Sequence, residues 1–344
     1  MKPTVGIIAN PASARDIRRI VADASSLQTA DRANIVLRVL RALAATGIQQ
    51  VLMMPDPVGI RTYVERGVAR ASTAGNASYP AINFLDITVA GTVEDTLAAA
   101  RKMREHKVSC IVVLGGDGTH RAVASVCGNI PIAGISTGTN NAFPIFREPT
   151  VVGIAAGLSA MHRIPVEIAA KPNKALVVTV GGREEIAVVD VAVVTDRYAG
   201  AKALWRPDSF RELYVAFAQP ASIGMSAIAA LVDPVTREDP RGVGLMLAPA
   251  QQAGKQVLAP IAPGVLEYVG IQRSFPLMPD QPARIELSSG AIALDGEREM
   301  VFSEHDRVEV TLVRDYFYTL DIESVMMSAA KNGLMTVYKE ASSL

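Results

Sequence analysis

Through its first 150 residues the chain alternates short, nearly unbroken apolar runs with longer amphipathic stretches, a pattern that fits a parallel sheet wrapped by helices and little else. The spacing predicts strands at 5–9, 50–54, 109–114 and 132–136, with 84–89 as a fifth. Helices are expected at 31–46, 60–71, 92–106 and 149–162, the third opening with Thr92 as N-cap and Asp95 three residues on. From about Arg163 the texture changes to β-branched runs at 175–180, 186–194, 242–247, 283–287 and 307–313, closely spaced and separated by turn residues. This predicts a mostly antiparallel second domain. The expected division is a nucleotide-binding α/β domain at 1–162, a β-rich substrate domain at 163–323 and a helical tail at 324–344 that returns to the first domain. The apolar segment 210–232 reads as one or two helices broken at Pro220, packed on the second sheet or at the contact of a homo-oligomer.

The loops at the carboxyl ends of the expected parallel strands carry the chemistry. Ser109-Cys-Ile-Val-Val-Leu114 runs into Gly115-Gly-Asp-Gly-Thr119 and then a helix-compatible stretch. Gly115, Gly116 and Gly118 lack the Cβ that would keep backbone N–H groups from converging on a polyphosphate at a helix N-terminus. Asp117 is the odd member, because a carboxylate repels phosphate unless it holds a metal ion, positions a hydroxyl or accepts that hydroxyl's proton. The loop suggests phosphoryl transfer, although Asp117-Gly118 is also a favoured hairpin turn.

One helix later a second strand ends in Thr137-Gly-Thr-Asn-Asn141. Thr137, Thr139, Asn140 and Asn141 are neutral donors and acceptors suited to phosphate oxygens, a ribose or an adenine edge, while capping of a turn is the structural alternative for the asparagines. A third loop follows the first strand, where Asn10 and Ser13 can bond a phosphate ahead of Arg15, Arg18 and Arg19. Much later, Asp295-Gly-Glu297 places two more carboxylates at a tight turn. His120 follows the glycine loop closely enough to reach a phosphate.

Composition narrows the partners. With 34 basic and 34 acidic residues the net charge is zero, which leaves no broad electrostatic footprint for nucleic acid or an anionic membrane. Cys110 and Cys127 stand at no zinc-ligand spacing and form no secreted framework. The beginning of the chain does not read as a signal peptide and no run is apolar for long enough to span a membrane, so a cytoplasmic protein is expected.

Taken in order, Asn10-Pro-Ala-Ser13, Gly115-Gly-Asp-Gly-Thr119, Gly138-Thr-Asn140 and Asp295-Gly-Glu297 resemble the superfamily of NAD kinases and diacylglycerol or sphingosine kinases. The longer runs 112–122 and 135–144 are most similar to the acetoin-catabolism protein X group of ATP-NAD kinase-like proteins. The resemblance implies an α/β domain joined to a β-sandwich-like domain, with ATP or polyphosphate as donor in the cleft, Mg²⁺ on its phosphates and NAD as acceptor, giving NADP. It assigns Asp117 the activation of the ribose 2′-hydroxyl and gives Asp190 the acidic position of an adenine- and ribose-holding motif, in which Val189 replaces the expected Asn. Asp295 and Glu297 match the acidic pair linked to catalysis in the lipid kinases. Two other classes stay open. Gly134-Ile-Ser-Thr-Gly138 matches a serine nucleophile elbow, with Asp295 and His305 following in triad order. A non-catalytic nucleotide sensor would keep the same fold.

Overall fold

The computed structural model describes residues 2–11, 27–73, 75, 78–138, 141–196 and 207–336. Its strands are β1 Thr4–Ala9, β2 Gln50–Met53, β3 Ala81–Phe84, β4 Cys110–Gly115, β5 Ile132–Ser136, β6 Ala170–Val180, β7 Arg183–Ala187, β8 Asp190–Val194, β9 Phe210–Val215, β10 Gly242–Ala248, β11 Lys255–Ala262, β12 Val265–Leu277, β13 Ala283–Arg284, β14 Gly290–Leu294, β15 Glu297–Phe302 and β16 Val308–Leu320. Its helices are α1 Thr29–Ala45, α2 Ile60–Thr73, α3 Val93–Glu105, α4 Asp117–Ala124, α5 Pro149–Ala160, α6 Val166–Ala169, α7 Met225–Ala230 and α8 Ile322–Lys331.

The first sheet begins as the expected parallel one. Its order β3-β2-β1-β4-β5 reverses direction of growth between β1 and β4, which opens a crevice at their carboxyl ends. β4 is buried along its whole length, as a strand covered by helices on both faces must be. On one face Val5, Ile7, Val112 and Ile135 pack with Val36, Val39 and Leu43 of α1 and Val152 and Leu158 of α5. Fully burying each such aliphatic side chain contributes roughly 1.5–3 kcal/mol. The capping box that opens α3 is present, with Thr92 accepting from the Glu94 N–H and Asp95 accepting from the Thr92 N–H.

The sheet then continues where the sequence predicted a new domain. β16 pairs β5 in parallel at Thr319↔Ile132 and pairs β6 antiparallel along most of its length, with β7 at the edge. The strands expected at 175–180 and 307–313 therefore belong to the first sheet, because period and composition mark a strand without naming its partner. The second sheet, β11-β12-β10-β9-β8-β14-β15, is antiparallel at every pair. It packs one face against β6 and β16, through Val191, Val193, Tyr214 and Ile292 against Leu176, Val178, Val310 and Leu312. Its other face is covered by α7, with Met225 and Ile228 against Val194, Phe210 and Leu245.

Other departures are local. The fifth strand lies at Ala81–Phe84, ahead of the predicted 84–89, because β3 is an edge strand paired only over the short length of β2. The run 186–194 is two strands in two sheets, and most of 210–232 is strand β9 and irregular chain, with helix only at Met225–Ala230. The run 283–287 pairs only at Ala283–Arg284, and the C-terminal helix ends at Lys331. Residues 337–344 of the expected tail lie outside the described residues. Among the described residues no helix is long and apolar enough to cross a membrane.

Candidate functional site

Register sets the site. Ala9 pairs Leu114 and Gly115 pairs Ser136, so the loops after β1, β4 and β5 leave the sheet at one level. The glycine loop does not turn into a hairpin: Gly116 is the N-cap of α4 and Asp117 its first residue. The first-turn N–H groups of a helix have no intrahelical acceptors, which gives this end an affinity for anions. Two of the glycines are fixed by close approach. A Cβ on Gly115 would lie 2.4 Å from the Thr119 side chain, and one on Gly116 would lie 2.6 Å from Asn141 Oδ1. A Cβ on Gly118 would have the Glu297 carboxylate as its nearest described neighbour, at 3.9 Å.

Asp117 faces the second loop. Its two carboxylate oxygens accept the backbone N–H groups of Phe143 at 2.9 Å and Ala142 at 3.0 Å. Asn141 lies between the two loops, against Gly116 and Gly138, and donates to Ser136 Oγ at 2.8 Å. Thr137 is buried and its N–H donates to the Gly115 carbonyl. Asn10 is buried too, tied through Nδ2 to Thr96 Oγ1 and the Thr92 carbonyl, while its own carbonyl accepts from Arg32. It therefore braces the crevice wall. Ser13, Arg15, Arg18, Arg19, Thr139 and Asn140 lie outside the described residues.

The third wall comes from the second sheet. Asp295 and Gly296 both have positive φ, +51° and +80°, forming the tight turn between β14 and β15 that the sequence predicted. The Asp295 carboxylate is fully enclosed and accepts from the N–H groups of Val188, Val189 and Asp190 at 2.8–3.2 Å. Burial raises its pKa, against the pull of Arg121 and the three amides. Asp295 thus fixes the point where the chain passes from one sheet to the other, and brings Asp190 to the hairpin. Arg121, one helical turn beyond Asp117, lies 3.8 Å from Asp295 and donates to Glu299 at 2.9 Å, joining α4 to the hairpin. Burial alone would lower its pKa, but Asp295 and Glu299 outweigh burial and raise it. The result brings Asp117, Gly118, Asn141 and Glu297 to one crevice between the sheets.

Arg121 and Arg237 escaped the sequence reading. The former had a signal in its one-turn spacing from Asp117. Arg237, in an irregular segment, had none. It donates to the carbonyls of Ala142 and Phe143, at 3.2 and 2.6 Å.

His120 does not face a phosphate. It is completely buried, with Nδ1 bonded to the Gly116 carbonyl at 2.9 Å and its ring 5.7 Å from that of Phe143. Burial lowers its pKa to about 4, so it is neutral at pH 7 and Nδ1 carries the proton. The serine-elbow arrangement does not assemble: Ser136 Oγ accepts from Asn141, Asp295 is held by backbone amides, and His305 stands on an exposed turn. Burial pushes the thiols of Cys110 and Cys127 up to about 12, which removes both as nucleophiles near neutral pH.

Comparison with known proteins agrees with this architecture. Residues 5–164 match the ATP-NAD kinase N-terminal domain and residues 174–315 match the acetoin catabolism protein X C-terminal domain. Acetoin catabolism protein X of Cupriavidus necator is 47% identical over 338 residues, covering 97% of this chain and 94% of that one. The chain belongs to the acetoin catabolism protein X family. Two solved structures of a Bacillus anthracis str. Sterne protein, provisionally assigned as a diacylglycerol kinase, are each 12% identical over 93% of this chain, with TM-scores of 0.45 and 0.42 and coverage of 96% and 98% of their own chains. For this acetoin catabolism protein X family member the fold is that of an NAD kinase-like protein, a parallel-sheet domain joined to an antiparallel one.

Proposed function

We propose that this protein is a nucleotide-dependent phosphotransferase that moves the terminal phosphoryl group of ATP, or of polyphosphate, to a hydroxyl of NAD or a related metabolite. The observation that carries the reading is the junction of two strand-end loops with a carboxylate-bearing hairpin, which brings Glu297 beside Gly118 at the N-terminus of α4. The helix end and the flanking loops bind phosphate oxygens, and phosphoryl transfer asks little of a protein beyond positioning and charge neutralisation.

The residues divide the work. Asp117, with both oxygens on the 142–143 amides, shapes the second loop. Glu297 faces the glycine loop from the opposite wall and takes the proton of the acceptor hydroxyl as its oxygen attacks phosphorus and the bond to the leaving nucleotide oxygen breaks. Among the described residues no group of three or more His, Cys, Asp or Glu side chains forms a metal cage. Mg²⁺ is usually bound through one or two carboxylates and the substrate phosphates, and Asp117, at the start of α4, is the carboxylate that would hold it here. Bound there, it would supply neutralisation of the phosphate charge. The Cupriavidus necator relative carries acetoin catabolism in its name, and we extend that metabolic context to this chain.

Transfer of label from γ-³²P ATP with Mg²⁺ to NAD, acetoin or diacylglycerol tests the reading. Glu297→Gln is expected to reduce turnover by ~10²–10⁴ while leaving ATP affinity nearly unchanged. Asp117→Asn should impair binding and turnover together. ATP binding without transfer to any acceptor would favour the nucleotide sensor, and no nucleotide binding would overturn the proposal.

A further inference from the structure

We propose that Arg237 is a positioning residue through which the second domain sets the shape of the nucleotide loop; this rests on the phosphotransferase reading above. The peptide groups of Ala142 and Phe143 are held from two sides. Asp117, on the first domain's α4, accepts their N–H groups, and Arg237, on the segment between α7 and β10, donates to their carbonyls. The guanidinium lies 4.7 Å from the ring centroid of Phe143 and 4.5 Å from that of Phe217, so the two rings fix its plane. Phe143 is fixed in turn by Phe317, whose ring centroid is 5.4 Å away.

The need for such a grip follows from what lies behind the loop. Phe143, Pro144 and Arg237 line a cavity of about 480 Å³ between the domains. A loop backed by open space can relax into it, whereas one backed by packed side chains cannot. Asn141 immediately precedes the gripped peptides and touches Gly116 and Gly138, so a shift of a few tenths of an ångström at 142–143 is transmitted to the glycine loop. Burial lowers the Arg237 pKa to about 10, partly offset by the Asp117 charge, which still leaves it cationic at neutral pH.

Hydrogen–deuterium exchange resolved at the Ala142 and Phe143 amides, in wild type, Arg237→Gln and Arg237→Lys, tests this directly. Loss of a charge-assisted grip should speed exchange at these amides by about 10-fold or more in the Gln variant, because hydrogen bonds to charged groups are worth roughly that factor. The Lys variant, which keeps the charge but loses the planar fork, should fall between. Amides of the hairpin 290–302 should not change, and ATP affinity with Mg²⁺ should fall in the same order as the exchange rises. Unchanged exchange at 142 and 143, or equal acceleration in the hairpin from a general loss of stability, overturns the proposal. Should Arg237→Gln fail to fold, the Lys variant decides it by the same comparison. A wild-type protein that binds no nucleotide would defeat the phosphotransferase reading, while the exchange rates would still decide whether Arg237 holds the loop.

Discussion

The glycines of the Gly115–Gly118 loop have different reasons for being there, and substitution should separate them. Gly116→Ala puts a methyl group 2.6 Å from Asn141 Oδ1 and must turn that side chain away from its bond to Ser136, costing about 1 kcal/mol in a urea melt. Gly118→Ala meets, among the described residues, the Glu297 carboxylate at ordinary contact distance, so stability should hold within ~0.5 kcal/mol or rise slightly. On the proposed phosphotransferase reading its methyl group would instead stand in the path of a phosphate, and ATP affinity should drop. A Gly118→Ala protein that binds ATP normally would remove this helix end from the site. His120 offers a pH test with a definite sign. Its folded pKa of about 4 lies below the ordinary 6.5, so between those values the unfolded chain is protonated and the folded one is not. Stability therefore falls as pH drops from 6.5 to 4, by up to about 3 kcal/mol. His120→Asn should flatten that part of the stability profile, and an unaltered slope would show that other groups govern it.

The passage from β7 to β8 shows how one buried carboxylate can decide an element boundary. The run 186–194 holds no Gly or Pro to end a strand, yet the N–H groups of 188–190 turn to Asp295, more than 100 positions away. Asp295→Ala should lower stability by about 3 kcal/mol or more, since it strands three buried donors, deprives Arg121 of a partner and places alanine at positive φ. Asp295→Asn should cost less, because asparagine tolerates that φ and keeps one acceptor oxygen. A loss below ~1 kcal/mol for alanine would dismiss the carboxylate as the pin. The same example marks what the sequence can disclose. β1, β2, β4 and β5 were legible because strands buried on both faces are continuous apolar runs, and the glycine loop because its residues are contiguous. The segment Phe210–Val215 was mistaken for helix because its neighbours β8 and β10, which make it a strand, are remote in sequence. The second loop's partners were hidden for the same reason: nothing near Thr236 signals that Arg237 will meet Phe143.

The two sheets share one core. Val113 beneath the parallel strands, Leu176 of β6 and Tyr214 of β9 belong to a single apolar cluster, and the chain crosses between the sheets at 188–190, on either side of β13 and again after β15. Calorimetry should accordingly give one transition, with calorimetric and van't Hoff enthalpies equal. Two resolved transitions would mean the domains fold apart. A fragment ending at Arg163 should not form a stable monomer, since it removes β16 from the edge of β5. The position of β16 also dictates when the protein can mature. This strand follows every other described strand in chain order, yet it lies between β5 and β6, which are made long before it. Until β16 has been synthesised, the nascent chain carries an unsealed strand edge, so the native sheet closes only once that strand is out and its maturation depends on how well the cell shields that edge in the interval.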